Sequence, residues 1–382
     1  MDACDRAVIE KLDLFAALIS AFLASLTVSL LLVLTRRWHE HLSADSPGAG
    51  PQKLHAAPTP RIGGMAVAAG FAVALVVARL QLPGGSDSAA PPWFTGWFIV
   101  ALFIPFGAGV VEDITKACGA RLRLLATFFG AAVAYYFCDA SLSRFDLLPL
   151  DALLASSVTA RVLFTLFCVG AIANAYNLAD GLNGLLSGLA TAACVAMGWI
   201  AAMYGDQFLA IAAGALAAAI LGFLPFNFPR ARLFAGDGGA YFIGSAISLL
   251  AILLCHRNVQ VSPWFVFVLV LYPFVDTSAA IVRRLLSGRP IMAPDAAHMH
   301  TLLARWMVAK VGPAGRNWAS VVVVAVSALS ALLAVLLHRE TWALMLLCGA
   351  MMTIFAVCYV LLWRRVQVPL SAHVAPPLHV RL

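Results

Sequence analysis

The sequence predicts an all-α integral membrane protein, a bundle of about eleven transmembrane helices with its N-terminus outside and its C-terminus in the cytoplasm. The first observation is composition: of 382 residues, 62% are hydrophobic and 11% are charged, with a mean hydropathy of +0.92. A soluble domain carries about 25% charged residues. The second is a series of apolar runs of membrane-spanning length, and the third is a one-sided distribution of Lys and Arg. We therefore expect a single polytopic membrane domain over residues 1–382.

The apolar runs define the individual spans, because about 20 apolar residues are needed to cross the hydrocarbon of a bilayer. Runs bounded by polar or turn residues predict spans at 14–34, 62–82, 96–111, 122–138, 161–178, 185–204, 208–225, 239–255, 263–282, 318–337 and 341–363. The third run is short, and only a few residues separate the fifth from the sixth. The first run follows no basic segment and is too long for the core of a signal peptide, so we interpret it as a retained helix.

Basic residues set the expected orientation, because cytoplasmic loops of membrane proteins are enriched in Lys and Arg. With the N-terminus outside, 18 of the 25 Lys and Arg residues fall on the inner side. This arrangement makes 283–317 a long cytoplasmic loop and 364–382 a cytoplasmic tail. It also accounts for the net charge of +7 without nucleic acid as a partner.

Functional information lies in polar residues that the bilayer would otherwise exclude, and four clusters of them fall at the predicted cytoplasmic ends of spans. The first cluster, KLHAAPTPRIGG, precedes the second span and contains Lys53, His55 and Arg61. Three cationic or potentially cationic groups within nine residues suit the binding of phosphate groups. The alternative is an ordinary basic loop with a proline turn.

The second cluster, GVVEDITK, places Glu112 and Asp113 at the end of the third span. Adjacent carboxylates repel each other unless a cation or a base shares them. A solvated helix end beside Lys116 is the alternative.

The third cluster, NAYNLADGLNGL, carries Asn174, Asn177 and Asp180 at a spacing that places them near one face of a helix. Gly181 and Gly184 are expected to end that helix immediately afterwards. Amide and carboxylate groups in an apolar segment are costly without partners. The pattern indicates a binding site, or else a buried structural network.

The fourth cluster, FAGDGGAYFIG, places Asp237 between Gly236 and Gly238 at the entry to the eighth span. Glycines around one acid are typical of a loop whose backbone N–H groups approach an anion while the carboxylate holds a cation. The motif alone is weak evidence, and its position among the other clusters strengthens it.

Two further features lie on the same side. Asp276 in the ninth span is either a functional acid or the partner of Arg283 or Arg284. In DAAHMHTLL of the following loop, His298 and His300 are two residues apart. This spacing suits an extended or turn segment better than a helical metal pair, and contact with phosphate is as good an interpretation as contact with metal.

Taken in order, these clusters resemble the bacterial polyprenyl-phosphate N-acetylhexosamine-1-phosphate transferases of glycosyltransferase family 4, relatives of the translocase that makes the first lipid of peptidoglycan synthesis. The resemblance runs from Lys53 to about Leu302. It depends on five ordered motifs, K-x-H-x-x-P-T-P-R-x-G-G, (D/E)-D, N-x-x-N-x-x-D-G-x-N-G-L, G-D-x-G and H-x-H.

The resemblance implies a helical bundle with its active site on the cytoplasmic face of the bacterial inner membrane. The implied reaction transfers a sugar 1-phosphate, of GlcNAc type, from a UDP-N-acetylsugar to undecaprenyl phosphate and releases UMP, with Mg²⁺ required and Mn²⁺ as a substitute. The expected partners are the UDP-N-acetylsugar, undecaprenyl phosphate, the lipid bilayer and a second copy of the chain in a homodimer. The product would start a lipid-linked cell-envelope polysaccharide.

The resemblance also implies roles for individual positions. The catalytic positions are Glu112, Asp113, Asp180, Asp237, His298 and His300. The substrate-binding positions are Lys53, His55, Arg61, Asn174, Asn177, Asn183 and Phe234. The metal positions are Asn177, Asp180 and Asp237. Within these sets, Phe234 is implied to stack on uracil, Asn183 to lie near the base, and Asp113 to accept a residual proton.

Two departures from the family pattern matter. Glu112 stands where most members have aspartate, so we expect no direct metal contact from it. Thr301 stands where a third histidine is found in the peptidoglycan translocase, which favours the O-antigen or exopolysaccharide branch.

Two alternatives remain in view. One is the peptidoglycan translocase itself. The other is an ion-coupled secondary transporter, which predicts polar groups at mid-bilayer and duplicated halves. The polar clusters lie instead at span ends, and no repeat of fixed period is evident in the sequence.

Overall fold

The computed structural model describes residues 3–45, 58–81, 92–292 and 295–366, and within these ranges the chain is almost entirely helical. The helices are α1 (Ala3–Leu34), α2 (Arg36–Ser43), α3 (Gly64–Gln81), α4 (Pro92–Thr115), α5 (Ala120–Cys138), α6 (Leu148–Ser156), α7 (Val158–Ala179), α8 (Leu185–Met203), α9 (Gln207–Asn227), α10 (Gly236–Arg257), α11 (Pro263–Leu286), α12 (Met299–Val311), α13 (Gly315–Leu336) and α14 (Thr341–Val366). Two short strands, β1 (Ala44–Asp45) and β2 (Thr59–Pro60), pair antiparallel.

Each of the eleven predicted spans coincides with one of the long helices, which confirms a multi-pass membrane protein. Nine helices in the described ranges are long and apolar enough to cross a bilayer. The apolar part of α3, Gly64–Leu80, is shorter than these nine. Helix α5 is less apolar because Arg121 and Arg123 lie in its first turn.

The structure corrects the description of 283–317 as a loop. Helix α11 continues to Leu286, and α12 occupies Met299–Val311. Thirteen residues that include Arg305 and Lys310 are too few and too charged to be recognised as a span. The helix forms because Met299 and Leu302 are buried against α14. The third span is also longer than predicted, since α4 has 24 residues.

Helix α10 is the centre of the bundle, and its residues from Gly236 to Cys255 are all buried. Glycines allow its first turn to approach two neighbouring helices closely. A Cβ on Gly64 of α3 would lie 2.2 Å from the Cα of Gly239, and a Cβ on Gly109 of α4 would lie 2.5 Å from the Cα of Gly238. These contacts bring the ends of α3 and α4 to the GDGG segment.

At the end of the bundle opposite the GDGG segment, the carboxylate of Asp146 links three parts of the chain. Asp146 accepts hydrogen bonds from Ser262 Oγ (3.0 Å) and Thr341 Oγ1 (2.7 Å), and Arg144 donates to it at 2.8 Å. The segment 139–147 therefore lies beside the beginnings of α11 and α14. Residues that follow α11, which is 24 residues long, lie at the other end, about 36 Å away.

The predicted orientation is tested by cysteine labelling at these two ends. Ser143 and Ser287 are both exposed. In a variant without the eight native cysteines, we expect Ser143→Cys to react with a membrane-impermeant maleimide in intact cells and Ser287→Cys to react only after permeabilisation. The reverse pattern would overturn the orientation.

Candidate functional site

The site forms around the first turn of α10, whose backbone N–H groups have no acceptor within the helix. Asp113 of α4 supplies the acceptor: its carboxylate receives the N–H of Asp237 at 2.9 Å and of Gly238 at 2.8 Å. Gly236 has φ +73°, and a Cβ there would lie 1.8 Å from the carbonyl oxygen of Arg61. Only glycine fits this approach, which positions the Asp237 side chain.

Two guanidinium groups contact Asp237. Arg123 Nη1 lies 2.5 Å from Asp237 Oδ2, and Arg61 Nη2 lies 3.5 Å from Asp237 Oδ1. Arg123 also lies 5.5 Å over the ring of Tyr241, whose hydroxyl donates to Asn174 Oδ1 at 3.3 Å. Arg123 was not among the predicted site residues. Its only signal in the sequence is a basic residue at the start of an otherwise apolar span.

The turn between α7 and α8 carries the next predicted residues. Helix α7 ends at Ala179, as the glycines predicted, and Gly184 has φ +74°. The N–H of Gly184 donates to Asn227 Oδ1 at 2.7 Å, and Asn227 Nδ2 donates to Leu233 O at 3.0 Å. The buried Asn227 therefore ties this turn to the segment that leads into the GDGG loop, a role the sequence did not reveal.

Asp180 follows α7 at the same place. Burial raises its pKa to about 7, Asp237 adds to the rise, and Arg61 opposes it. In the described ranges no hydrogen-bond donor contacts this carboxylate. Asn177 lies half-buried one turn earlier on α7. A half-buried acid beside a second acid, with no donor among the described residues, has the chemistry of a cation site.

The positions implied to contact the base lie at the rim of this site. Asn183 Nδ2 donates to Pro229 O at 3.0 Å. The backbone of Phe234 joins the segment before α3, donating to Pro60 O at 2.8 Å and accepting from the N–H of Gly63 at 2.8 Å. This pairing brings the first predicted cluster beside the fourth.

The histidine segment reaches the same turn. His300 Nε2 lies 2.5 Å from where a Cβ of Gly181 would be. Burial lowers the pKa of His300, against the opposing effect of the Asp276 carboxylate. Tyr272 Oη lies 3.3 Å from His300 Nδ1. The third and fifth motifs are thus in contact.

The interpretation of Asp276 as a partner of Arg283 or Arg284 is wrong. Asp276 contacts His298 instead, and both arginines form ion pairs with Asp295. The physical reason is that α11 ends just after the arginines and the chain folds back, which brings Asp295 to them.

The remaining predicted residues either lie outside the described ranges or form few side-chain contacts. Lys53 and His55 lie outside the described residues. Glu112 is half-buried, and no described residue forms a hydrogen bond with its buried Oε2. Lys116 donates to the backbone oxygen of Asp113 at 2.7 Å and not to a carboxylate.

The donor set accommodates a divalent cation only in part. Across the described ranges, no three His, Cys, Asp or Glu side chains are grouped closely enough to hold a metal by themselves. Asp180 and Asp237 supply two hard carboxylates of the kind Mg²⁺ takes, and Mg²⁺ commonly completes its coordination with water and substrate phosphates. The metal assignment of Asn177, Asp180 and Asp237 stays a prediction.

Comparison with known proteins shows the family of the chain. The model of the family described as glycosyl transferase family 4 matches residues 94–255. A decaprenyl-phosphate N-acetylglucosaminephosphotransferase of Mycobacterium leprae is 32% identical over 273 residues, covering 65% of this chain and 67% of the relative. The chain belongs to glycosyl transferase family 4.

Two further members of the family show the range of named activities. A probable undecaprenyl-phosphate N-acetylglucosaminyl 1-phosphate transferase of Bacillus subtilis is 29% identical over 286 residues, which are 74% of this chain and 76% of the relative. A phospho-N-acetylmuramoyl-pentapeptide-transferase of Desulforudis audaxviator is 29% identical over 295 residues, which are 72% of this chain and 84% of the relative. The family match spans α4 to α10 and so includes Asp113, Asp180 and Asp237.

Proposed function

We propose that this protein transfers N-acetylglucosamine 1-phosphate from its UDP derivative to a polyprenyl phosphate and releases UMP. The observation that carries the proposal is the convergence of Asp180 and Asp237 with Arg61 and Arg123 at the ends of membrane helices. It is supported by membership of a family whose members include N-acetylglucosamine 1-phosphate transferases acting on undecaprenyl and decaprenyl phosphate.

The reaction needs positioning and charge neutralisation more than a strong base. An oxygen of the lipid phosphate attacks the β-phosphorus, the bond from that phosphorus to the bridging oxygen breaks, and UMP leaves with the electron pair. A phosphate monoester, with a second pKa of about 6, is largely ionised near neutral pH. Arg61 and Arg123 are the described cations nearest to Asp237, and their guanidinium groups suit phosphate oxygens.

Magnesium is the cofactor of the proposed reaction, with Mn²⁺ as a substitute. Asp237 and Asp180 would hold it, with the Asn177 amide nearby, and it would supply charge neutralisation for the departing phosphate. Residues of the chain position the Asp237 carboxylate for this role: Asp113 fixes the start of α10, and Gly236 allows Arg61 to approach.

We place the site at the cytoplasmic face of a bacterial inner membrane, because the basic residues concentrate at that end and the named relatives are bacterial. A second candidate is transfer to form the first lipid of peptidoglycan, which the relative in Desulforudis audaxviator supports. Thr301 in place of a third histidine favours the first candidate. Self-association as a homodimer stays a prediction.

The deciding experiment is a transfer assay. The purified protein is incubated with undecaprenyl phosphate, Mg²⁺ and a panel of UDP-N-acetylsugars that includes the muramoyl pentapeptide. We expect the mass of the lipid product to show addition of N-acetylglucosamine phosphate. A product only with the pentapeptide substrate would establish the second candidate, and no product with any donor would refute the proposal.

Inhibition tests the uridine part of the site. If Asn183, Phe234 and the GDGG loop bind the nucleotide, UMP and the nucleoside mimic tunicamycin should compete with the UDP-sugar and raise its apparent KM without changing kcat. AMP at equal concentration is the control. Turnover that is indifferent to a large excess of UMP and tunicamycin would contradict a uridine site.

A further inference from the structure

Asp276 is a carboxylate buried inside α11 with two clear partners. Its side chain is 4% exposed, and its Oδ2 lies 2.8 Å from His298 Nδ1. Its Oδ1 accepts the backbone N–H of Met299 at 2.8 Å. His300 Nδ1 lies 3.5 Å from the same Oδ2. One acid therefore contacts both histidines and the first turn of α12.

Among the described residues, one ring nitrogen of His298 has no hydrogen-bond partner. His298 is 3% exposed, and its buried Nε2 forms no hydrogen bond with any residue in the described ranges. The rings of His298 and His300 stack with centroids 5.4 Å apart and planes 19° apart. His300 Nε2 lies against Gly181, so the histidine pair lies beside the turn that carries Asp180.

We propose that Asp276 is a positioning residue: it accepts a hydrogen bond from His298 Nδ1–H and so directs the Nε2–H of the protonated ring at a phosphate oxygen of the bound UDP-sugar. A carboxylate on one ring nitrogen sets the tautomer and orientation of an imidazole, and it favours the protonated ring that donates to a phosphate. The proposal rests on the transferase function, because that function supplies the diphosphate.

The competing interpretation is that Asp276 only caps α12 through Met299. The positioning role and the capping role predict different effects when the Asp276 carboxylate is replaced by an amide. In Asp276→Asn, the single acceptor oxygen is needed by the N–H of Met299. The NH₂ group then faces His298 Nδ1, which must accept, and the ring proton moves to Nε2. The cap survives, and the orientation of donor and acceptor on His298 is reversed.

A double-mutant cycle separates these interpretations. We expect Asp276→Asn to lower kcat/KM for the UDP-sugar about tenfold to hundredfold, by comparison with carboxylates that orient metal-bound histidines. In a His298→Gln background, the same substitution should cost less than about threefold, because coupled residues are not additive. Equal losses in both backgrounds would overturn the proposal.

The pH dependence is a second readout. The charged and titratable groups around His298 are Asp276, His300, Asp295 and the Tyr272 hydroxyl. In the unsubstituted protein, a neutral ring with its hydrogen on Nδ1 has none on Nε2 to donate to phosphate, whereas in Asp276→Asn the neutral ring keeps its hydrogen on Nε2. The decline of kcat/KM at high pH should therefore be weaker in Asp276→Asn than in the unsubstituted protein. An unchanged profile would contradict the proposal.

Asp146→Asn is the matched control. It makes the same substitution at a half-buried acid with hydroxyl partners at the opposite end of the bundle. We expect it to lower thermal stability and to leave the pH profile and kcat/KM nearly unchanged. A shift of the pH profile like that of Asp276→Asn would show that loss of stability alone produces the effect and would overturn the proposal.

A measurement on the unsubstituted protein keeps the proposal testable if Asp276→Asn does not fold. In ¹⁵N spectra of ring-labelled histidine, with His298 assigned by its loss in His298→Gln, the neutral ring should carry its proton on Nδ1. A proton on Nε2 alone would overturn the proposal. Failure of the unsubstituted protein to transfer any sugar phosphate would instead refute the transferase function, and the spectrum would still decide the tautomer.

Discussion

Asp237→Asn is expected to abolish nearly all turnover, with a loss of at least about a thousandfold, or about 4 kcal/mol of transition-state stabilisation. Asp237 is held at the start of α10 by Gly236 and contacts Arg61 and Arg123. It is also the predicted magnesium ligand with the most restricted position. An amide there removes the negative charge that a cation at this position requires. The assay measures kcat at saturating UDP-sugar and Mg²⁺, and Mn²⁺ should rescue little.

Glu112 supplies the control for this prediction. It is an acid on the same face, it contacts none of the arginines around Asp237, and its Oε2 has no described partner. Glu112→Gln should lose at most about tenfold to hundredfold, and Glu112→Asp should be close to the unsubstituted protein. The proteins must be compared at equal amounts of folded material, since the loss of the Asp237 carboxylate removes one ion-pair partner each from Arg61 and Arg123. An Asp237→Asn protein that folds and retains more than a tenth of the activity would contradict the assignment.

Asp113→Asn is expected to lower thermal stability and turnover together. Both carboxylate oxygens of Asp113 accept N–H groups of the first turn of α10, and the side chain is 1% exposed. An amide offers one acceptor and points its NH₂ group at the other N–H. Leaving a buried donor unsatisfied costs about 1–3 kcal/mol, and more for charged groups. The shifted helix start would also displace Asp237, so turnover should fall by at least about a hundredfold.

The thermal unfolding midpoint and the activity of the Asp113 variants distinguish two roles for Asp113. The resemblance implies that Asp113 accepts a residual proton, whereas the geometry shows it as the acceptor that caps α10. If Asp113→Asn keeps its thermal unfolding midpoint and loses activity, the proton-accepting role is favoured. If the midpoint falls by several degrees and Asp113→Glu restores neither property, the capping role is favoured. Thermal unfolding in detergent micelles and kcat measured on the same preparation decide between them.

The helices themselves could be predicted from the sequence with few errors. An apolar run of about 20 residues has one low-energy state in a bilayer, because its backbone groups must be satisfied within the run. The end of α7 could also be predicted from the sequence, since Gly181 and Gly184 interrupt the polar face that carries Asp180. Helix α12 was not, because its 13 residues are stable only through burial of Met299 and Leu302 against other helices.

Some residues of the candidate site could be predicted from the sequence, and others could not. Asp180 and Asp237 were predictable because each is polar at the end of an apolar span and stands in a recognisable motif. The two histidines were predictable from their motif alone. Arg123, Asn227 and the pairing of Asp276 with His298 were not predictable. Arg123 looked like one more basic residue at a span end, and Asp276 had nearer arginines along its own helix.

Run length and polar spacing are enough to predict that the chain crosses a membrane many times and that its polar motifs belong to one end of the bundle. Hydrophobic run length and the cost of buried charge act locally, so they can be evaluated residue by residue. Which charged groups contact each other depends on how the helices pack. Asp113 lies 124 residues from the N–H of Asp237, and Asp276 lies 22 residues from His298. Such pairs depend on helix packing, in which glycines such as Gly64 and Gly109 set the approach, and no local pattern encodes the partner.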